Sequence, residues 1–152
     1  MKLAVALQER NDLNTRIEQL NYRLERNSVV QEGEKTNEDP KELLTEINEC
    51  YKNLETLISR INKTNCLTIT KYNNLTLTDL IAKKDVLTKK IGSYRLIVNT
   101  ASNLVTRVAR SEIKILSNVD VKALQKEIDK MSKELRIISN TIEEANWQIE
   151  LL

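Results

Sequence analysis

The chain has 152 residues, enough for one domain, and with 40% hydrophobic and 30% charged residues it can bury a core and stay soluble. Its 24 basic and 22 acidic residues are interspersed and leave a net charge of +2, which argues against a nucleic-acid partner bound through a basic face. Two Gly, one Pro, no Phe and no His favour long helices with thin seams of Leu, Ile and Val over a thick globular core.

The first helix is expected over about residues 2–27. Its apolar positions Leu3, Ala6, Leu13, Ile17, Leu20 and Leu24 fall in steps of three and four, with Arg10 as one charged residue in register. Residues 28–39 are polar, hold Gly33, Asn37 and Asp39, and read as an exposed loop. Asp39 then caps a second helix, with Pro40 at its first position and Glu42 placed for a capping box. That helix is expected over residues 40–63, with a seam of Leu43, Ile47, Cys50, Leu54, Leu57 and Ile61. Leu44, Tyr51 and Ile58 add a second apolar stripe seven residues apart, so this helix should meet two neighbours.

Residues 66–70 (Cys-Leu-Thr-Ile-Thr) alternate and are β-branched, which reads as a short strand. Asn73 and Asn74 read as a turn, and Thr76 or Thr78 as the cap of a third helix over residues 77–105. Gly92 sits inside that helix, where it implies close approach of another backbone or a local break. Ile113 and Ile115 alternate with Glu112 and Lys114, so a second strand is expected within residues 110–117, pairing with the first as a ribbon. Asp120 caps the last helix, expected over residues 120–151. Its seam Val121, Leu124, Ile128, Met131, Leu135, Ile138, Ile142, Ala145, Ile149 and Leu152 never misses a step. The fold class is mainly α: a single domain formed by a bundle of four heptad-patterned helices with a small two-stranded β accessory. The spare stripe on the second helix points to a homo-oligomer, with Tyr51, Ile58, Arg110, Glu112 and Lys114 as interface candidates.

No apolar run approaches the roughly 18 residues of a membrane span, and Met1–Leu7 is too short an apolar stretch for an export signal, so a cytoplasmic location is expected and membrane partners are not. Cys50 and Cys66 without any His cannot supply the four ligands of a structural zinc site, so neither metal nor cofactor is expected. Cys50 on a seam position reads as a small buried hydrophobe. Ser111 beside Glu112 has no His to activate it, and no Gly-rich phosphate loop is present, so catalysis is not the expected role.

Two charges, Arg10 and Lys84, interrupt the seams. With up-down helix order they would meet Arg60, Asn62, Glu144 and Asn146 at one level of the bundle, walled by Trp147. Such a layer would hold a small anionic ligand, or it would be a polar layer that fixes helix register.

Several segments are similar to a bacterial family of about this length. They include Met1-Lys2-Leu3-Ala4, Val30-Gln31-Glu32-Gly33-Glu34, Glu38-Asp39-Pro40, Arg60-Ile61-Asn62-Lys63-Thr64-Asn65 and Leu77-Thr78-Asp79. Further on they include Ala82-Lys83-Lys84-Asp85, Arg110-Ser111-Glu112-Ile113-Lys114, Val119-Asp120-Val121 and Asn146-Trp147. The family is uncharacterised, and many of its members carry the label septicolysin, which implies a cytolytic toxin. The resemblance covers nearly the whole chain, with Lys83 and Lys84 standing where arginines are expected. The leading expectation is a non-enzymatic cytosolic helical oligomer that acts through an unknown protein partner. A septicolysin-type membrane-acting toxin is the alternative, and an enzyme of unknown reaction comes third.

Overall fold

The computed structural model describes residues 1–104 and 114–152, and the chain divides into two compact units. Unit one holds residues 1–68 and 145–152, and unit two holds residues 69–144.

In unit one, α1 (Leu3–Arg26) and α2 (Pro40–Leu67) pack against one another. Arg16, midway along α1, pairs with Glu46 in the second turn of α2, and Arg23, near the end of α1, pairs with Glu38 just before α2 begins, so the two run antiparallel. Their facing seams bury Ile17, Leu20, Leu43 and Ile47, with Leu24, Cys50 and Leu54 packed around them. Each fully buried Leu or Ile contributes about 1.5–3 kcal/mol. Cys50 lies where its seam position placed it, half-buried against this cluster, and neither Cys50 nor Cys66 is in a disulfide.

The hairpin loop is tied down by Asn27. Its amide donates to the Arg23 carbonyl at 2.8 Å, and its side-chain oxygen accepts from the Glu38 N–H at 3.1 Å. Gly33 in this loop has φ +85°, a left-handed conformation that favours a residue without Cβ. Asp39 caps α2 by accepting from the Lys41 N–H at 2.9 Å, and Pro40 takes the first helical position.

The α2 helix runs four residues beyond the expected end at residue 63, through Cys66 and Leu67, so the expected strand over 66–70 does not form. The Thr68 N–H donates to the Thr64 carbonyl at 3.0 Å, and the buried Thr64 hydroxyl donates to the Arg60 carbonyl at 2.9 Å. Helical bonding satisfies these groups within the chain segment itself, whereas a strand needs a second strand beside it. The expected ribbon is therefore absent among the described residues. Ile69 makes one isolated bridge to Thr76, residues 114–117 carry no strand, and residues 110–113 lie outside the described part.

The C-terminal residues of unit one turn from helix to extended chain after Gln148. Lys2 and Glu150 form an antiparallel bridge, with the Leu3 N–H donating to the Ile149 carbonyl at 2.9 Å and the Leu151 N–H to the Met1 carbonyl at 2.8 Å. The seam register expected Leu152 inside. Once the helix ends, side chains alternate with period two, and Leu151 is the buried one (7% exposed against 59% for Leu152).

In unit two, Asn73 and Asn74 adopt φ +51° and +56°, forming the expected turn. Asn is among the few residues that tolerate this region. Thr76, not Thr78, caps α3 (Leu77–Ser102) in a full capping box with Asp79. The Asp120 side chain accepts from the Ala123 N–H at 2.9 Å at the start of α4 (Val121–Gln148), which belongs to this unit as far as Glu144. The α3 seam buries Leu77, Leu80, Leu87 and Ile91, and α4 buries Ile128, Met131, Ile138 and Ile142. Gly92 neither breaks α3 nor meets a neighbouring backbone, because a Cβ there would find nothing within 4 Å. All four expected helices are present and no sheet forms among the described residues, so the fold class is all-α without the β accessory.

Candidate functional site

Unit one carries a cleft beside the buried seam, lined by Met1, Glu9 and Leu13 from the N-terminal segment and by Asn53, Thr56, Leu57 and Arg60 from α2. Its volume is about 330 Å³. Asn53, Thr56 and Arg60 follow one another at steps of three and four, so the helix presents them on one face. Arg60 is held from behind: its Nε donates to the Leu152 main-chain oxygen at 2.7 Å, and the Leu152 N–H donates to the Thr64 hydroxyl at 3.1 Å. The two terminal guanidinium nitrogens remain for other partners. Among the described residues no Asp or Glu side chain pairs with Arg60, and Glu9 pairs with no Lys or Arg.

Beside this cleft, the chain termini form a charged clasp. Glu150 accepts from the Met1 amino group at 2.8 Å and pairs with Lys2 at 2.8 Å. The Lys2 hydrogen bond, followed by that from the Met1 amino group, lowers the Glu150 carboxyl to about 2. Farther along the hairpin, Arg23 holds the Glu38 carboxyl below its ordinary range, chiefly through their hydrogen bond.

Unit two has its own polar knot. Lys83 pairs with Glu134 at 2.8 Å, the Tyr72 hydroxyl donates to the same carboxylate at 2.8 Å, and the Lys83 ammonium lies 5.1 Å from the Tyr72 ring centroid. The hydrogen bond from Lys83, then that from Tyr72, lowers the Glu134 carboxyl, and the same Lys83–Glu134 bond raises Lys83. With Lys71–Glu144 at 2.8 Å, this network fastens the Asn73–Asn74 turn and α3 to α4. It is satisfied within itself and reads as a structural brace.

The second stripe of α2 stands out on the surface. Leu44, Tyr51 and Ile58 are 46%, 47% and 40% exposed, while the neighbouring seam residues Leu43, Ile47, Leu57 and Ile61 are buried.

Among the residues expected to bind a ligand, Arg10 is half-buried on α1, Asn62 is exposed, Asn146 is half-buried and Trp147 is exposed, all in unit one. Lys84 is half-buried on α3, and Glu144 is exposed and paired with Lys71, both in unit two. Arg60 alone of that set lines the cleft. Of the interface candidates, Tyr51 and Ile58 belong to the exposed stripe, Lys114 is exposed, and Arg110 and Glu112 lie outside the described residues. Sequence reading passed over Glu9, Asn53 and Thr56. The signal available was the polar run Asn53, Thr56, Arg60 at the same period as the apolar seam. No group of metal-ligating side chains is present among the described residues, and no helix there is long and apolar enough to cross a membrane.

The family model described as "Family of unknown function (DUF6847)" matches residues 10–151. No match is found among curated proteins. A solved structure described as that of a functionally unknown conserved protein from Corynebacterium diphtheriae is similar, with 36% sequence identity and a TM-score of 0.89. The likeness covers 100% of this chain and 99% of that one. The expected family of unknown role is thus met, while neither description carries the septicolysin name.

Proposed function

Because the chain belongs to this family of unknown function, we propose its role from its own surface: a helical interaction protein that self-associates through the second stripe of α2. The observation that carries the reading is the exposed run Leu44, Tyr51 and Ile58 on a helix whose main seam is already filled. An evenly spaced stripe is self-complementary. With two copies antiparallel about Tyr51, Leu44 of one copy meets Ile58 of the other and Tyr51 meets its own counterpart. A net charge of +2 sets little repulsion between copies. The enzyme alternative gains no support from the Met1–Lys2–Glu150 clasp or the Lys83–Glu134–Tyr72 knot, since each is satisfied within itself. Two cysteines outside any disulfide agree with a reducing compartment such as the cytosol.

Light scattering across a range of concentrations tests this. The expected mass rises from 17.6 kDa toward twice that value, and Tyr51→Glu combined with Ile58→Glu holds it at 17.6 kDa with an unchanged helical spectrum. A wild type that stays at 17.6 kDa throughout, or a variant that associates as well as the wild type, overturns the proposal.

A further inference from the structure

The C-terminal part of α3 leaves apolar side chains uncovered, past Ile91, the last buried residue of its seam. Leu96 and Ile97 are 68% and 42% exposed, and Ile115, Leu116 and Val119 are 39%, 76% and 40% exposed. Together with Leu104 they line a groove of about 390 Å³ within unit two. The same face continues back along α3. Lys89 and Lys90 stand seven residues, two turns, before Leu96 and Ile97, and the exposed Val86 stands three turns before Ile97.

Charge on this surface has one sign. Residues 86–104 and 114–119 hold Lys89, Lys90, Arg95 and Lys114 and no Asp or Glu, in a chain whose basic and acidic residues number 24 and 22. All four are exposed, and among the described residues none of them takes part in an ion pair. The Lys90 ammonium lies 5.7 Å from the Tyr94 ring centroid, a contact that leaves its charge uncompensated.

We propose that this surface docks an acidic amphipathic helix of a partner protein, with its apolar side chains in the groove and its carboxylates against Lys89, Lys90 and Lys114. Uncovered aliphatic groups call for an apolar face and unpaired ammonium groups call for anions, and one amphipathic helix lying along α3 supplies both. The concave wall favours a protein segment, because a groove receives inserted side chains, whereas a lipid surface is entered by groups that stand out from the protein. The α2 stripe of a second copy does not match, since Lys41 and Lys52 accompany Glu55 along it.

Fluorescence anisotropy with the full chain tests the assignment. The probe is a labelled synthetic helix of about 18 residues, five turns, with Leu at steps of three and four on one face and Glu elsewhere. A second peptide carries Lys in place of every Glu. The expected result is saturable binding of the acidic peptide that weakens as salt rises, and about tenfold weaker binding or less of the basic one. Leu96→Ser combined with Leu116→Ser, and separately Lys89→Gln combined with Lys90→Gln, should each weaken the acidic peptide about tenfold. All four residues are exposed, so the helical spectrum should stay unchanged. Tyr51→Glu combined with Ile58→Glu should bind the peptide as the wild type does, which keeps this test apart from that of self-association. The proposal fails if the acidic peptide does not saturate, if the two peptides bind alike, or if either groove variant binds as well as the wild type. It fails equally if the stripe variant loses the peptide. Sedimentation of the chain with phosphatidylglycerol-containing vesicles, without peptide binding, would overturn it in favour of a lipid surface.

Discussion

Replacing Gly92 by Ala should raise the stability of the protein. Gly92 lies within α3 with helical bonding continuous on both sides, and its surface is exposed. A methyl group added there meets nothing within 4 Å, so no steric cost offsets the change. Gly in a helix interior costs about 1 kcal/mol relative to Ala, mainly because the unfolded chain loses more freedom on ordering. For a chain of this size about 1 kcal/mol corresponds to a rise in Tm of roughly 2–4 °C. A thermal melt followed by far-UV circular dichroism measures it, and Gly92→Ser should show a smaller gain in the same direction. An unchanged or lowered Tm in Gly92→Ala would refute the reasoning. It would mean that something occupies the space beside Gly92 in solution, as the sequence reading of close backbone approach implied.

Other expectations rest on different parts of the molecule. Ile138 is fully buried, so Ile138→Ala should destabilise by about 2–5 kcal/mol, read as a lower denaturant midpoint; a loss below about 1 kcal/mol would place Ile138 outside the unit-two core. Thr64→Val removes the acceptor of the Leu152 N–H and the donor to the Arg60 carbonyl, and should cost about 1 kcal/mol by the same measurement. An equal midpoint for the variant would show that the C-terminal residues are not fastened there. Glu150 has a folded-state pKa lowered to about 2, so its contribution is present above the ordinary carboxylate range and is lost as pH falls toward about 2. The stability difference between wild type and Glu150→Gln should therefore be full near neutral pH and vanish in strong acid, and a pH-independent difference would exclude the Lys2–Glu150 clasp as its source.

The four helices were legible in the sequence because the information is local. Apolar residues at steps of three and four mark a helical face, and seams such as Ile128, Met131, Ile138 and Ile142 stay buried as the spacing requires. Asp39, Thr76 and Asp120 declare helix starts by side-chain chemistry within three residues, and Asn73–Asn74 declares a turn by its tolerance of positive φ. Only the tertiary structure decided the rest, because it depends on partners far apart in the chain. Residues 66 and 67 stay helical although their pattern is strand-like, since the helical bonds continue to the Thr68 N–H, and no strand lies beside them among the described residues. Leu151 replaces Leu152 in the interior because Glu150 pairs with Lys2, at the other end of the sequence, and draws the last residues into extended chain. The same long-range closure brings Leu152 onto Arg60 and sets that guanidinium in the cleft with Glu9. Helical periodicity specifies which face of each helix is apolar, but which polar residues of two helices share one cleft follows only from how those helices pack.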